Sequence, residues 1–80
     1  MTQFKVFQCV YADIPGGKTR LIVEEIHHSW IFGAIDKRTK QLVDKASVPS
    51  LEAGKEQAKN WAIGGGYITP QDALMWQPWP

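Results

Sequence analysis

Eighty residues and 9.0 kDa provide for one small domain with a thin core, since a chain of this size buries only about 60–65% of the surface its unfolded form exposes. A composition with 44% hydrophobic residues, four Trp, three Phe and two Tyr excludes a disordered coil, and a single cysteine, Cys9, excludes a disulfide scaffold. The formal net charge of +1 supplies no overall attraction for a polyanion.

No stretch approaches the roughly 20 apolar residues of a membrane span, so no membrane partner is expected. Polar residues interrupt the apolar ones throughout 1–11, which is not the pattern of a signal peptide. One cysteine and no export signal make the reducing cytoplasm the expected compartment.

Residues 3–12 alternate Phe, Val, Tyr and Cys with polar residues and read as a strand. Ile14-Pro15-Gly16-Gly17 supplies a fixed φ and then freedom for positive φ, which is turn chemistry. The β-branched and aliphatic stretch from Thr19 to Ile26 closes a hairpin. A third strand is expected over 30–35, a polar tip at Asp36-Lys37-Arg38-Thr39-Lys40, and a returning strand over 41–46.

The period then changes. Ser50 is a good N-cap and Glu52 suits the positive end of a helix dipole. Leu51, Gly54, Ala58, Trp61 and Ala62 recur at helical spacing, so the main helix is expected over 51–63, stopped by Gly64-Gly65-Gly66. Thr69-Pro70-Gln71-Asp72 reads as the start of a second, short helix running to about Trp76. The expected architecture is α+β: an antiparallel four-stranded meander over 3–46 packed against one main helix, with a short C-terminal helix and aromatic tail over 69–80. Core positions expected between sheet and helix are Trp61 and Leu51, with Trp30 or Ile31, Phe32 or Ile35, Ile22 and Val10.

Reaction chemistry finds little support. His27 and His28 are neighbours in sequence and point to opposite faces if they lie within a strand. A hairpin turning at 14–17 sets Cys9 near Ile22, about 16 Å from His27 at strand rise, so no metal site is expected. Cys9 has no basic neighbour or helix N-terminus to activate it, and no Gly-x-Ser-x-Gly elbow exists. Glu24 and Glu25 diverge as the histidines do, and the triple glycine follows a helix where a phosphate loop would precede one. Neither an enzyme nor a cofactor site is expected.

The cations Lys18, Arg20, Lys37, Arg38, Lys40 and Lys45 crowd the first half of the chain, where seven Lys or Arg face five Asp or Glu. Within it, the stretch 30–43, Trp-Ile-Phe-Gly-Ala-Ile-Asp-Lys-Arg-Thr-Lys-Gln-Leu-Val, followed by 50–61, resembles DNA-binding domains built from a three-stranded sheet and one helix. These are the plant ethylene-response type and the arm-binding type of tyrosine recombinases. Asp36, Arg38, Thr39 and Lys40 match their hairpin tip, Ala53, Ala58 and Trp61 suit their Ala-rich helix, and Trp30 corresponds to the aromatic on their binding side. The resemblance covers under half of the chain. Lys37 stands where those families have Pro, and Glu24 and Glu25 stand where they place arginines. It implies the sheet-and-helix architecture and an alternative function, DNA binding through Trp30, Lys37, Arg38 and Lys40.

Balanced charge, abundant aromatics and no visible reaction centre favour a non-enzymatic binding domain instead. The expected partner is another protein or a second copy of the chain, in an interaction, regulatory or inhibitory role. Met75, Trp76 and Trp79 are the expected contact residues, because Trp and Met are enriched at interfaces. The other role open to Trp76 and Trp79 is to fold back over the second face of the sheet.

Overall fold

Alternation along the second strand decides which side of the sheet becomes the core. The computed structural model describes residues 8–79. Strands β1 (Cys9–Asp13), β2 (Thr19–Ile26), β3 (Ser29–Asp36) and β4 (Gln41–Val48) form an antiparallel meander, followed by helix α1 (Leu51–Gly64). A two-residue strand, β5 (Gln77–Pro78), joins the free edge of β1, giving the order β4-β3-β2-β1-β5. The α+β meander backed by one helix is therefore the architecture of this chain. The part of the first expected strand over 3–7 lies outside the described residues.

Each connection has a local cause. Gly16 and Gly17 take φ of 102° and 75° between β1 and β2, a region that costs glycine little. His27 and His28 form the two-residue turn between β2 and β3, both with positive φ (51° and 67°), as a type I′ hairpin requires. At the β3–β4 tip, Asp36 Oδ1 accepts from the amides of Arg38 (2.8 Å) and Thr39 (3.3 Å). Ser50 caps α1 by accepting from the Ala53 amide at 3.1 Å. The helix stops in a Schellman motif: the Tyr67 amide donates to the Ala62 carbonyl, the Gly66 amide to that of Ile63, and Gly66 takes φ of 77°.

On β2, Thr19, Leu21 and Val23 face α1 and are buried, whereas Arg20, Ile22 and Glu24 face away. The helix-side core joins Ile14, Leu21, Val23, Phe32, Ala34, Ala58, Ala62 and Ile68. Burying Phe32, Leu21 and Val23 contributes about 1.5–3 kcal/mol each. Small residues let the helix lie close: a Cβ on Gly54 would stand 2.4 Å from Val23 Cγ1.

Two expectations need correction. Ile22 belongs to the opposite face, because Leu-Ile-Val is apolar at both parities and register alone chooses between them. Leu51 is half-buried and outside the buried cluster, while Trp61 packs against that cluster. Cys9 stands directly opposite Glu24, two residues along β2 from Ile22.

The short C-terminal helix is absent. Asp72 Oδ2 accepts from Thr69 N and Oγ1 at 2.8 and 3.1 Å, but the Asp72 amide donates to the Thr69 carbonyl at 3.0 Å, which closes a single turn. A helix of two turns is marginal by itself. The chain runs extended instead, so that Leu74 and Trp76 pack against the core and β5 pairs with β1. Pro78 cannot donate to a ladder, which suits an edge strand.

Candidate interaction surface

Three cross-strand rows run across the face of the sheet opposite α1. One runs Asp13, Arg20, Ile35, Leu42; the next runs Gln77, Tyr11, Ile22, Gly33, Lys45; the third runs Trp79, Cys9, Glu24, Ile31, Ser47. Gly33 lets the middle row close up: a Cβ there would meet Ile22 Cγ1 and Leu42 Cδ1 at 3.1 Å each. No helix among the described residues covers this face. Its Tyr11, Ile22, Ile31 and Ile35 are half-buried, and Leu42 is exposed.

At one end of the face, Arg20 ties the rows together. Its Nε and Nη2 donate to Asp13 Oδ1 (2.7 Å) and Oδ2 (3.1 Å), and Lys37 Nζ donates to the same Oδ2 at 3.3 Å. The guanidinium lies 4.2 Å from the Tyr11 ring centroid and 4.9 Å from that of Trp79. The two rings meet edge to face, with centroids 5.3 Å apart and planes at 79°. Tyr11 also donates from its hydroxyl to Gln77 Oε1 at 3.2 Å. The hydrogen bond from Arg20 holds the Asp13 carboxyl below the usual carboxylate range, and Asp13 in turn raises Arg20.

The expected contact residues separate. Met75 is 75% exposed, and Trp79, 41% exposed, lies on the helix-free side, but Trp76 is half-buried against the helix-side core. Trp30 pairs with Glu25 and Val48 on the helix side, at the start of β3. Lys37, Arg38 and Lys40 lie past the other end of that strand, about 23 Å away at strand rise. The structure does not bring those four together.

The sequence pattern does not single out Tyr11 and Arg20 as contact residues. The one signal it carries is the alternation Thr-Arg-Leu-Ile-Val, which puts Arg20 on the same face as Ile22.

Other chemistry stays dispersed. Burial, with Glu24 opposite, raises the Cys9 thiol, so it is a poor source of thiolate. Among the described residues no three His, Cys, Asp or Glu side chains stand close enough to hold a metal ion. None of their helices is long and apolar enough to cross a membrane. The free edge of β4 carries Asp44 and Lys45 and a bulge opposite Ala34 and Ile35, devices that discourage edge-to-edge pairing. In comparisons with known proteins, no family model, no curated protein and no solved structure matches the chain.

Proposed function

We propose that this chain is a non-enzymatic binding domain that acts by contact with another protein through the helix-free face of its sheet. The observation that carries the reading is the Tyr11–Arg20–Trp79 group, held in place beside the apolar strip of Ile22, Ile35 and Leu42. Trp, Tyr and Arg are the residue types that dominate binding energy at protein interfaces. Here the Asp13 carboxylate already orders the arginine, so little side-chain entropy remains to be lost on contact. Met75, 75% exposed in the tail, is a further contact residue in this reading. A domain of this kind acts as a regulator or inhibitor by occupying its partner's surface.

The DNA-binding alternative draws less support, since Trp30 lies far from the tip cations and on the helix side of the sheet. The test is affinity capture from a lysate of the source cell, with and without nuclease, using the wild type, Trp79→Ala and Ile35→Asp. A protein retained after nuclease and moderate salt by the wild type, and lost from both folded variants, supports the reading. The absence of any nuclease-resistant protein, or one that both variants also retain, overturns it. Sedimentation of the purified chain separates a second copy from a foreign partner.

A further inference from the structure

The net charge of +1 conceals a segregation between the two ends of the strands. The amide of Lys37 donates to the Lys18 carbonyl at 2.9 Å, so the β1–β2 and β3–β4 loops lie side by side at one end. That half of the molecule carries Lys18, Arg20, Lys37, Arg38, Lys40 and Lys45. The opposite half holds Glu24, Glu25, Glu52 and Glu56 against Lys55.

The aspartates at the cationic end are already engaged. Asp13 accepts from Arg20 and Lys37, Asp36 from the Arg38 and Thr39 amides, Asp44 from Trp61 Nε1 and the Lys45 amide, and Asp72 from Thr69. Lys18 and Lys40 have no carboxylate partner among the described residues, and the Arg38 side chain is 77% exposed with Asp36 no closer than 3.9 Å.

Beside Lys18 lies a cleft of about 220 Å³, lined by Ile14, Pro15, Gly16, Lys18, Thr19 and Tyr67. Tyr67 is 46% exposed and rigidly held. Its ring stacks on Trp61, with centroids 5.4 Å apart and planes at 10°, and Trp61 is itself fixed by donating to Asp44 at 2.8 Å. Gly65 also lies against the ring, since a Cβ there would stand 2.6 Å from Tyr67 Cε2.

We infer that this end of the molecule binds single-stranded nucleic acid, with one unstacked base in the Tyr67 cleft and neighbouring phosphates on Lys18, Arg38 and Lys40. A fixed aromatic beside exposed cations is the pairing that such binding uses, stacking for the base and charge for the backbone. A base paired and stacked in a duplex has no free face to offer an aromatic ring, so single strands are the preferred form. This site is separate from the surface proposed for a protein partner.

The test is fluorescence anisotropy with a labelled dT12 oligonucleotide, the same sequence as duplex, and a Tyr-containing oligoglutamate peptide as competitor. The expected result is binding of dT12 in preference to duplex, with log K falling against log salt at a slope of about −2 for three phosphates. Tyr67→Leu keeps an apolar contact for Trp61 but removes the ring, and should weaken binding about tenfold or more, while Tyr67→Phe preserves it. Lys18→Gln should flatten the salt slope by about 0.7, and Lys55→Gln, at the opposite end, should leave it unchanged. No binding of dT12 at low salt, equal binding of duplex, equal competition by the peptide, or a folded Tyr67→Leu variant that binds like wild type would each overturn the inference.

Discussion

Trp76 and Trp79 lie on opposite faces of the sheet. Trp76 packs against the helix-side core, and Trp79 meets Tyr11 edge to face on the other side. The odd spacing between them does this once the tail is extended, because side chains alternate along a strand. A helix over the same residues would have put the two on neighbouring positions of one surface. The tail therefore has a stabilising side and a presenting side.

The two tryptophans should separate in stability. Trp76→Ala removes a large ring from the core cluster and should cost about 2–3 kcal/mol, below the range for a fully buried ring because Trp76 is half-buried. Trp79→Ala loses one ring pair and one cation–π contact, about 1 kcal/mol. Urea denaturation of both variants checks this, and equal losses would contradict the division of the tail between two faces.

Helix glycines give a second contrast. Gly54→Ala gains helix propensity but drives a methyl into Val23, at 2.4 Å, so a net loss of about 1–2 kcal/mol is expected. Gly64→Ala, in the last turn with nothing within 4 Å of its Cβ, should gain about 0.5 kcal/mol. Opposite shifts in denaturant midpoint at unchanged slope would show that close approach of α1 to β2, rather than flexibility, is what Gly54 provides.

The features legible in the sequence are those whose signals are local. The turn at Pro15-Gly16-Gly17, the Asp36 tip, the Ser50 cap and the glycine stop each act within a few residues, and each recurs in the structure. The face of Ile22 is not legible in this way, because β2 is apolar at both parities and the partner strands set its orientation. The second helix fails for a related reason. Its start signal at Thr69 is real, but Leu74 and Trp76 gain more from the core, and β1 offers a free edge to Gln77 and Pro78. Arg20 reads as a loop cation in the sequence, and only the register shows it lying over Tyr11 and Trp79.

Acid should loosen the Arg20 end first. The Asp13 carboxyl is depressed in the folded chain by the bond from Arg20, with a further contribution from Lys37, so the folded state binds that proton less readily than the unfolded chain does. Its stabilisation is complete above the unfolded carboxylate value, about 3.9, and is lost as pH falls through the lower folded value. The pair is partly exposed, so the effect should be about 1 kcal/mol or less. Thermal melts of wild type and Asp13→Asn should differ at neutral pH and converge in strong acid.

His28 offers the clearest test of stored backbone strain. Both residues of the β2–β3 turn take positive φ, and His28 occupies the second central position, at 67°, where glycine is the favoured residue of a type I′ turn. An L side chain in the left-handed region costs roughly 1 kcal/mol, which His28→Gly removes, while glycine's greater freedom in the unfolded chain returns part of that gain. The net expectation is a stabilisation of about 0.5 kcal/mol with unchanged fold. His28→Val should move the other way, because a β-branched residue tolerates this conformation poorly. Denaturant midpoints of the two variants settle the sign. If glycine destabilises, then the His28 side chain, not the backbone it strains, is what holds the turn.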